Sequence, residues 1–347
     1  MNTNEKINLK DLTLPEMEEL AVSLGKKPFS GRQLFKWIFR YGLTDFEGMT
    51  DLSKEFRGHL DQDYYIGHLE IAQKAESTDG TVKTLWRTHD NLYIESVLIP
   101  DDDRLTLCIS TQAGCPLGCT FCATGKLGFK RNLTSGEIYD QHLLTRLALP
   151  EDMKITNIVF MGMGEPLLNY DNLLKACDIL TDQLGAGIAS RKITVSTVGL
   201  VNGINRLADE RPKLNLAISL HSAIEETRKK LIPIASKNPL DKICEAALHF
   251  ANVSDNRVTF EYLLIKGVND SIKDAKALAS FVYGMPCKIN LIIYNPVPGI
   301  EFKRPADDNI EAFREYLLPR APTVTVRKSK GVDIAAACGQ LAGKQSR

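Results

Sequence analysis

Four of the chain's eight cysteines stand between residues 108 and 122, in the stretch CISTQAGCPLGCTFCATG. Cys115, Cys119 and Cys122 follow a C-x3-C-x2-C spacing, and Cys108 stands seven residues upstream. Three thiolates so placed on one loop can hold three irons of a [4Fe-4S] cluster and leave the fourth iron open to a small chelating molecule. Zinc is the competing occupant. A structural zinc site wants a fourth Cys or His close by, and PLG, TF and ATGKLGF around these cysteines supply neither.

Further reactive residue types lie far from this loop in sequence. A glycine-rich turn, GMGEP, places Gly164 beside Glu165. Glu95 sits in YIESVLIP, a strand-like run in which burial would suit a carboxylate to proton transfer, although a strand glutamate more often faces water. Cys338 lies in AAACGQL, where small neighbours leave a sulfur uncovered; a lone cysteine more often packs as a small apolar residue. Cys177, Cys244 and Cys287 have apolar helical or pre-strand settings and read as packing.

The elements that must position these residues follow from hydrophobic periodicity. Residues 1–62 read as a small helical module and 63–103 as an antiparallel β segment with turns at Thr78-Asp79-Gly80 and His89-Asp90-Asn91. Over 104–318, six strand-like runs (RLTLCIST, ITNIVFMGM, KITVSTVG, LNLAISLH, RVTFEYLLI, KINLIIYNPVP) alternate with amphipathic helices. This predicts an α/β fold, a partial (β/α)6 barrel of the TIM-like kind, in which chemistry sits on loops after the strands' C-terminal ends. The unusual residues fall there: the cysteines after the first strand, then GMGEP, Ser196 in STVG, Ser219-Leu220-His221, and Asn295 in YNP. Residues 319–347 add a strand and a small-residue tail carrying Cys338.

Composition narrows the class. With 44% hydrophobic and 25% charged residues, and no apolar run approaching a membrane span of roughly 20 residues, the chain reads as soluble and non-membrane. A polar, acidic start argues against a secretory signal and for the cytoplasm, where clustered thiols bind metal or react rather than form a disulfide framework. Net charge is zero, so any nucleic-acid surface must be local. After Ser30 as helix N-cap, Leu34, Trp37, Ile38 and Tyr41 predict a buried stripe opposite Arg32, Lys36 and Arg40. That basic face either meets water or, with Lys126, Lys130 and Arg131 and with Arg327, Lys328 and Lys330, meets phosphates.

The C-x3-C-x2-C loop with GMGEP after the next strand resembles the radical S-adenosylmethionine (SAM) superfamily. Together with ISLHS, GVND, YNP, DIAAACGQL, FSGRQLFKWI and TDFEGMTDLSK, it resembles the RlmN-type RNA methyltransferases across essentially the whole chain. The resemblance implies a radical SAM fold and one [4Fe-4S] cluster on Cys115, Cys119 and Cys122. Gly164 and Glu165 would hold the methionyl amine of SAM, and Ser196, Ser219, Leu220, His221 and Asn295 its nucleoside and carboxylate. Two SAM molecules would be consumed per methylation: one methylates Cys338, and the second gives a 5′-deoxyadenosyl radical that takes hydrogen from that methyl. The carbon radical would add to adenine, Glu95 would accept the ring proton, and Cys108 would resolve the protein–RNA adduct through a transient disulfide with Cys338.

The implied reaction is methylation of adenine C2, at position 2503 of 23S rRNA and position 37 of some tRNAs, by a monomer taking electrons from a flavodoxin-like donor. Methylation at adenine C8 by a sister, Cfr-like enzyme is the nearest alternative. An iron-sulfur RNA-binding or electron-transfer protein is the alternative of another class.

Overall fold

Short runs of Val, Ile and Leu between turn residues build the centre of the molecule, which the computed structural model describes over residues 6–343. The outermost residues of both predicted end segments, 1–5 and 344–347, lie outside the described residues. The N-terminal module comprises β1 (Ile7–Asn8), helices α1 (Leu14–Ser23), α2 (Pro28–Phe35) and α3 (Lys54–Asp63), and β2 (Tyr64–Tyr65), which pairs in parallel with β1. Helix α2 starts two residues before the predicted cap: Lys27 is the N-cap and Pro28 the first helical residue, where proline's fixed φ is already helical. Lys36–Arg40 then form a π-helical turn closed by Tyr41 N donating to Lys36 O at 3.2 Å. The wider turn rotates the side chains that follow, so the buried stripe is Leu34, Phe35, Ile38 and Phe39, while Trp37 is half-buried and Tyr41 exposed.

The module is tied down by charge as well as by packing. Lys10 Nζ lies 2.6 Å from Asp140 Oδ1 with both side chains at most 2% exposed, and Asp140 Oδ2 accepts from Leu69 N at 3.0 Å. Burial raises the Asp140 pKa against the pull of Lys10. Removing one partner strands the other charge, so Lys10→Ala is expected to cost about 3–5 kcal/mol in urea unfolding, well above a surface lysine.

Strands β3 (Glu70–Glu76), β4 (Val82–Arg87), β5 (Tyr93–Asp101) and β6 (Arg104–Cys108) pair antiparallel in sequence order. After β6 comes a long loop with the ribbon β7 (Gln112–Gly114) and β8 (Phe129–Asn132) around the short helix α4 (Ala123–Leu127), and then α5 (Ser135–Leu147). Strands β9 (Asn157–Phe160), β10 (Ile193–Thr197), β11 (Asn215–Ser219), β12 (Val258–Leu264), β13 (Cys287–Ile293) and β14 (Val324–Arg327) extend the sheet, all parallel with β6. The six predicted barrel strands thus gain a seventh parallel neighbour, β14, and the antiparallel strands belong to the same ten-stranded sheet, whose edges are β3 and β14.

Helices cover the outer face: α6 (Tyr170–Thr181), α7 (Val201–Glu210), α8 (Glu225–Leu231), α9 (Leu240–Ser254), α10 (Ile272–Phe281) and α11 (Asp307–Leu317). Strand β12 shows the division. Phe260 and Tyr262 meet Phe281 and Phe313 at ring distances of 5.4 and 5.3 Å, while Glu261 and Leu263 line the barrel cavity.

The tail after β14 bridges the two sheet edges. Asp333 accepts from Ser77 Oγ and Thr78 N, and Gly331 N donates to Asp79 Oδ2 at 2.9 Å, which fastens the tail to the β3–β4 turn. No helix among the described residues is long and apolar enough to cross a membrane.

Candidate active site at the strand ends

The C-terminal ends of the parallel strands converge on one cavity, which is open to solvent on one side. Cys115, Cys119 and Cys122 line it from the loop after β6, and Cys108 from the last residue of β6. The glycine-rich turn after β9 packs directly against this loop. Gly164 has φ +104°, and a Cβ there would come within 2.6 Å of Gln112 Cβ, so only glycine fits; the Gln112 Oε1 also accepts from Glu165 N at 2.9 Å. Asn169 Nδ2 donates to both Thr111 O and Leu133 O at 2.8 Å, clamping the two ends of the cysteine loop.

Burial pushes the Cys115 thiol up to about 12 and the Cys119 thiol well above its ordinary value, so holding these two as thiolates calls for a positive occupant. The three sulfurs do not all lie within 4.8 Å of one another. A single zinc with bonds of roughly 2.3 Å draws its thiolates closer than that; a cluster spreads them over separate irons. The donor set therefore fits the cluster better than zinc. The group His89, Asp90 and Glu137, close enough for a cation, is bridged by the Arg131 guanidinium, which donates to both carboxylates.

Glu165 Oε1 accepts from Leu167 N at 3.1 Å and Oε2 from Val198 N at 2.9 Å, and burial lifts its pKa to about 7. Ser196, Ser219 and His221 line the same cavity. His221 Nδ1 accepts from Leu263 N at 3.1 Å, its ring meets Phe121 edge-on at 4.9 Å, and burial holds its pKa down to about 3; it stays neutral, with its proton on Nε2. Leu220 is wholly buried, and its side chain lines neither this cavity nor its neighbour. Asn295 borders an adjoining crevice with Arg327, Lys328, Ser329, Lys330 and Cys338, and its buried Nδ2 has no hydrogen-bond partner. Glu261 Oε2 is likewise buried without a partner. Such orphaned polar atoms fit a polar ligand such as SAM.

Cys338 joins the cavity because the tail folds over it. Ala123 N donates to Gly339 O at 2.8 Å, Thr124 Oγ1 to Leu341 O at 2.7 Å and Gln340 Nε2 to Pro296 O at 2.9 Å. The residue is exposed at the cavity mouth, and the surrounding wall raises its thiol pKa while Arg327 opposes that rise. Cys108 and Cys338 share the cavity lining and are both free thiols. Glu95, 2% exposed on β5, lies under the tail: its Oε2 accepts from Ala342 N at 2.7 Å and Gly343 N at 3.0 Å.

By sequence, Arg327 groups with Lys328 and Lys330 in a basic cluster suited to phosphates. It instead lines the cavity with Glu261, Cys108 and Cys338, and makes no ion pair among the described residues. Strand β14 ends on Arg327, half-buried at the cavity, whereas Thr325 and Val326 before it are exposed. Glu261, a lone acid inside the apolar run RVTFEYLLI, was visible in the sequence. The other basic clusters are partly neutralised, since Arg32 pairs with Glu18 and Arg131 with Asp90 and Glu137; Lys126 keeps its charge and donates to Gly299 O. Lys27, Lys130, Lys328 and Lys330 have no carboxylate partner among the described residues.

Residues 7–66 match the family of the ribosomal RNA large subunit methyltransferase N-terminal domain, and residues 109–279 match the radical SAM superfamily. A dual-specificity RNA methyltransferase RlmN of Desulfotalea psychrophila is 45% identical over 346 residues, covering 97% of this chain and 95% of that protein. The corresponding protein of Pelobacter propionicus is 44% identical over 340 residues, covering 98% and 97%. The crystal structure of a radical SAM methyltransferase from Sphaerobacter thermophilus superposes with a TM-score of 0.92 at 42% identity, over 97% of this chain and 100% of that one. With that identity sustained from the helical module to the Cys338 tail, the chain belongs to the RlmN family of the radical SAM superfamily, whose members use a [4Fe-4S] cluster and SAM.

Proposed function

We propose that this protein methylates C2 of adenine in RNA, at position 2503 of 23S rRNA and position 37 of some tRNAs, acting in the cytoplasm as a monomer served by a flavodoxin-like electron donor. The observation that carries the reading is the shared cavity: two free thiols far apart in the chain, Cys108 at the end of β6 and Cys338 on the tail after β14, face the same space as the three cluster-type cysteines. An electron carrier has no use for that pair.

Cys115, Cys119 and Cys122 are the residues that would hold the cluster; Gly164, Glu165, Ser196, Ser219, His221 and Asn295 would hold SAM. Bound there, these groups supply the methyl donated to Cys338, the removal of one hydrogen atom from it, and a place for the electron that the adenine adduct returns. The chain supplies the rest. Cys338, as thiolate, would attack the methyl carbon of SAM, forming its own S–CH3 bond as the sulfonium's breaks and S-adenosylhomocysteine leaves, and would later present that methyl to adenine. Glu95 takes the proton from C2, and the C–H pair re-forms the aromatic ring. Cys108, as thiolate, attacks the Cys338 sulfur; the sulfur–methylene bond breaks, its electron pair stays on the methylene, and a proton completes the methyl group. The Cys108–Cys338 disulfide left behind needs an external dithiol to reset it.

Glu165 gives a pH test. An amine donor favours its ionised form, and a carboxyl whose pKa is raised to about 7 ionises only as pH rises through that value. SAM affinity of the reconstituted enzyme is therefore expected to climb as pH passes from below to above about 7. Glu165→Gln is expected to flatten that dependence and weaken binding about 10-fold.

Anaerobic reconstitution with iron and sulfide, followed by labelled SAM and naked ribosomal RNA, tests the function itself. Label in 2-methyladenine after nuclease digestion is the expected result. Label in 8-methyladenine, or none in RNA, would overturn it.

A further inference from the structure

Lys83 has no part in the chemistry above, yet it touches both Glu95 and the Cys338 segment. On the antiparallel pair β4–β5, Leu85 stands opposite Glu95, which makes Lys83 the diagonal neighbour of Glu95 on the same face. Lys83 Nζ lies 3.3 Å from Glu95 Oε1 and donates to Ala335 O at 3.2 Å. The other carboxylate oxygen is taken by Ala342 N and Gly343 N. Both oxygens of a nearly inaccessible carboxylate are thus occupied by the segment 335–343, or by the lysine that holds it. A general base must bring an oxygen within hydrogen-bond reach of the proton it removes. The two tail amides stand in that place, and they belong to the segment that carries Cys338. The Lys83 contact, on the opposite oxygen, is the one that can persist while the tail moves.

We propose that Lys83 is a positioning residue for Glu95, holding Oε1 so that Oε2 faces the substrate once Ala342 and Gly343 withdraw, and tying that withdrawal to the Cys338 segment through Ala335. This rests on Glu95 being the proton acceptor. A cation this close also offsets part of the cost of burying the carboxylate, so a neutral replacement leaves the group both uncompensated and free to swing. Misplacement of a reacting group by about 1 Å costs on the order of 100-fold in rate.

The test uses full-length, reconstituted enzyme with SAM and a ribosomal RNA fragment, in the unsubstituted protein and in Lys83→Gln, Lys83→Arg, Glu95→Gln and the Lys83→Gln/Glu95→Gln pair. Intact mass reports methyl on Cys338, and denaturing gels report the covalent protein–RNA adduct and its decay. Lys83→Gln is expected to methylate Cys338 and form adduct, but to release product about 10- to 100-fold more slowly. Lys83→Arg is expected to recover most of that loss, and the double variant to be no slower than Glu95→Gln alone. Equal slowing in Lys83→Arg and Lys83→Gln, unchanged decay in Lys83→Gln, or additive losses in the double variant would each overturn the proposal. If the unsubstituted enzyme forms neither methylated Cys338 nor adduct, the functional reading itself fails, and that outcome is distinct from the others. A thermal midpoint for each variant separates misfolding from slow decay, and the Arg rescue and the double variant remain decisive where Lys83→Gln is unstable.

Discussion

Cys338→Ala is expected to reduce RNA methylation below detection, at least about a thousandfold, and to leave the protein mass free of any added methyl. The size of the effect follows from the place of Cys338 in the chain of events. It is the only route by which the methyl reaches adenine in the proposed reaction, and no other thiol can replace it. Cys108 is 8% exposed at the base of the cavity with its thiol pushed up to about 12, whereas Cys338 sits at the mouth on a tail of small residues. The substitution removes one sulfur from an exposed position, so folding and cluster loading should survive. Cleavage of SAM measured without RNA in that variant, with an intact cluster spectrum, separates loss of chemistry from loss of structure.

Cys108→Ala is expected to give a different failure: methyl appears on Cys338, adduct forms, and RNA stays covalently attached, with released product down by at least about 100-fold. Its pH behaviour carries a sign. Burial raises the Cys108 pKa first, the Cys338 neighbour adds to it, and Arg327 lowers it. Only thiolate attacks, so the fraction competent at neutral pH is small and grows with pH up to about 12. Adduct decay in the unsubstituted enzyme should accelerate as pH rises above neutrality, and Arg327→Met should shift that rise to higher pH. A decay rate flat in pH would remove Cys108 from the role.

Much of this site was legible because its parts are residue types with few other uses. Three cysteines with an absent fourth ligand, and glycines before Glu165, stand out wherever they occur, and the near-continuous apolar strands announced where their loops would gather. The tail was harder. Residues 331–343 form turns rather than a periodic element, with left-handed backbone at Gly331, Ala335, Gly339 and Gly343, and their path depends on hydrogen bonds to β3–β5 made across more than two hundred residues. Nothing in AAACGQLAG shows that its amides would find Glu95. Lys83 was invisible for a related reason: a lysine in TVKTLWRT is ordinary until pairing with β5 puts it diagonal to a buried carboxylate. The misplaced stripe around Trp37 has a local cause, since a single π-helical turn rotates every later side chain and leaves no mark in a pattern read at 3.6 residues per turn.

The central claim is that the methyl reaches RNA by way of Cys338 and loses a hydrogen on the way. SAM bearing a fully deuterated methyl group, given to the reconstituted enzyme with ribosomal RNA, tests it in one mass measurement. The predicted 2-methyladenine keeps all but one of the deuterium atoms, and the missing one is recovered in the deoxynucleoside by-product. A methyl group that retains every deuterium would mean direct transfer to adenine and would contradict the account.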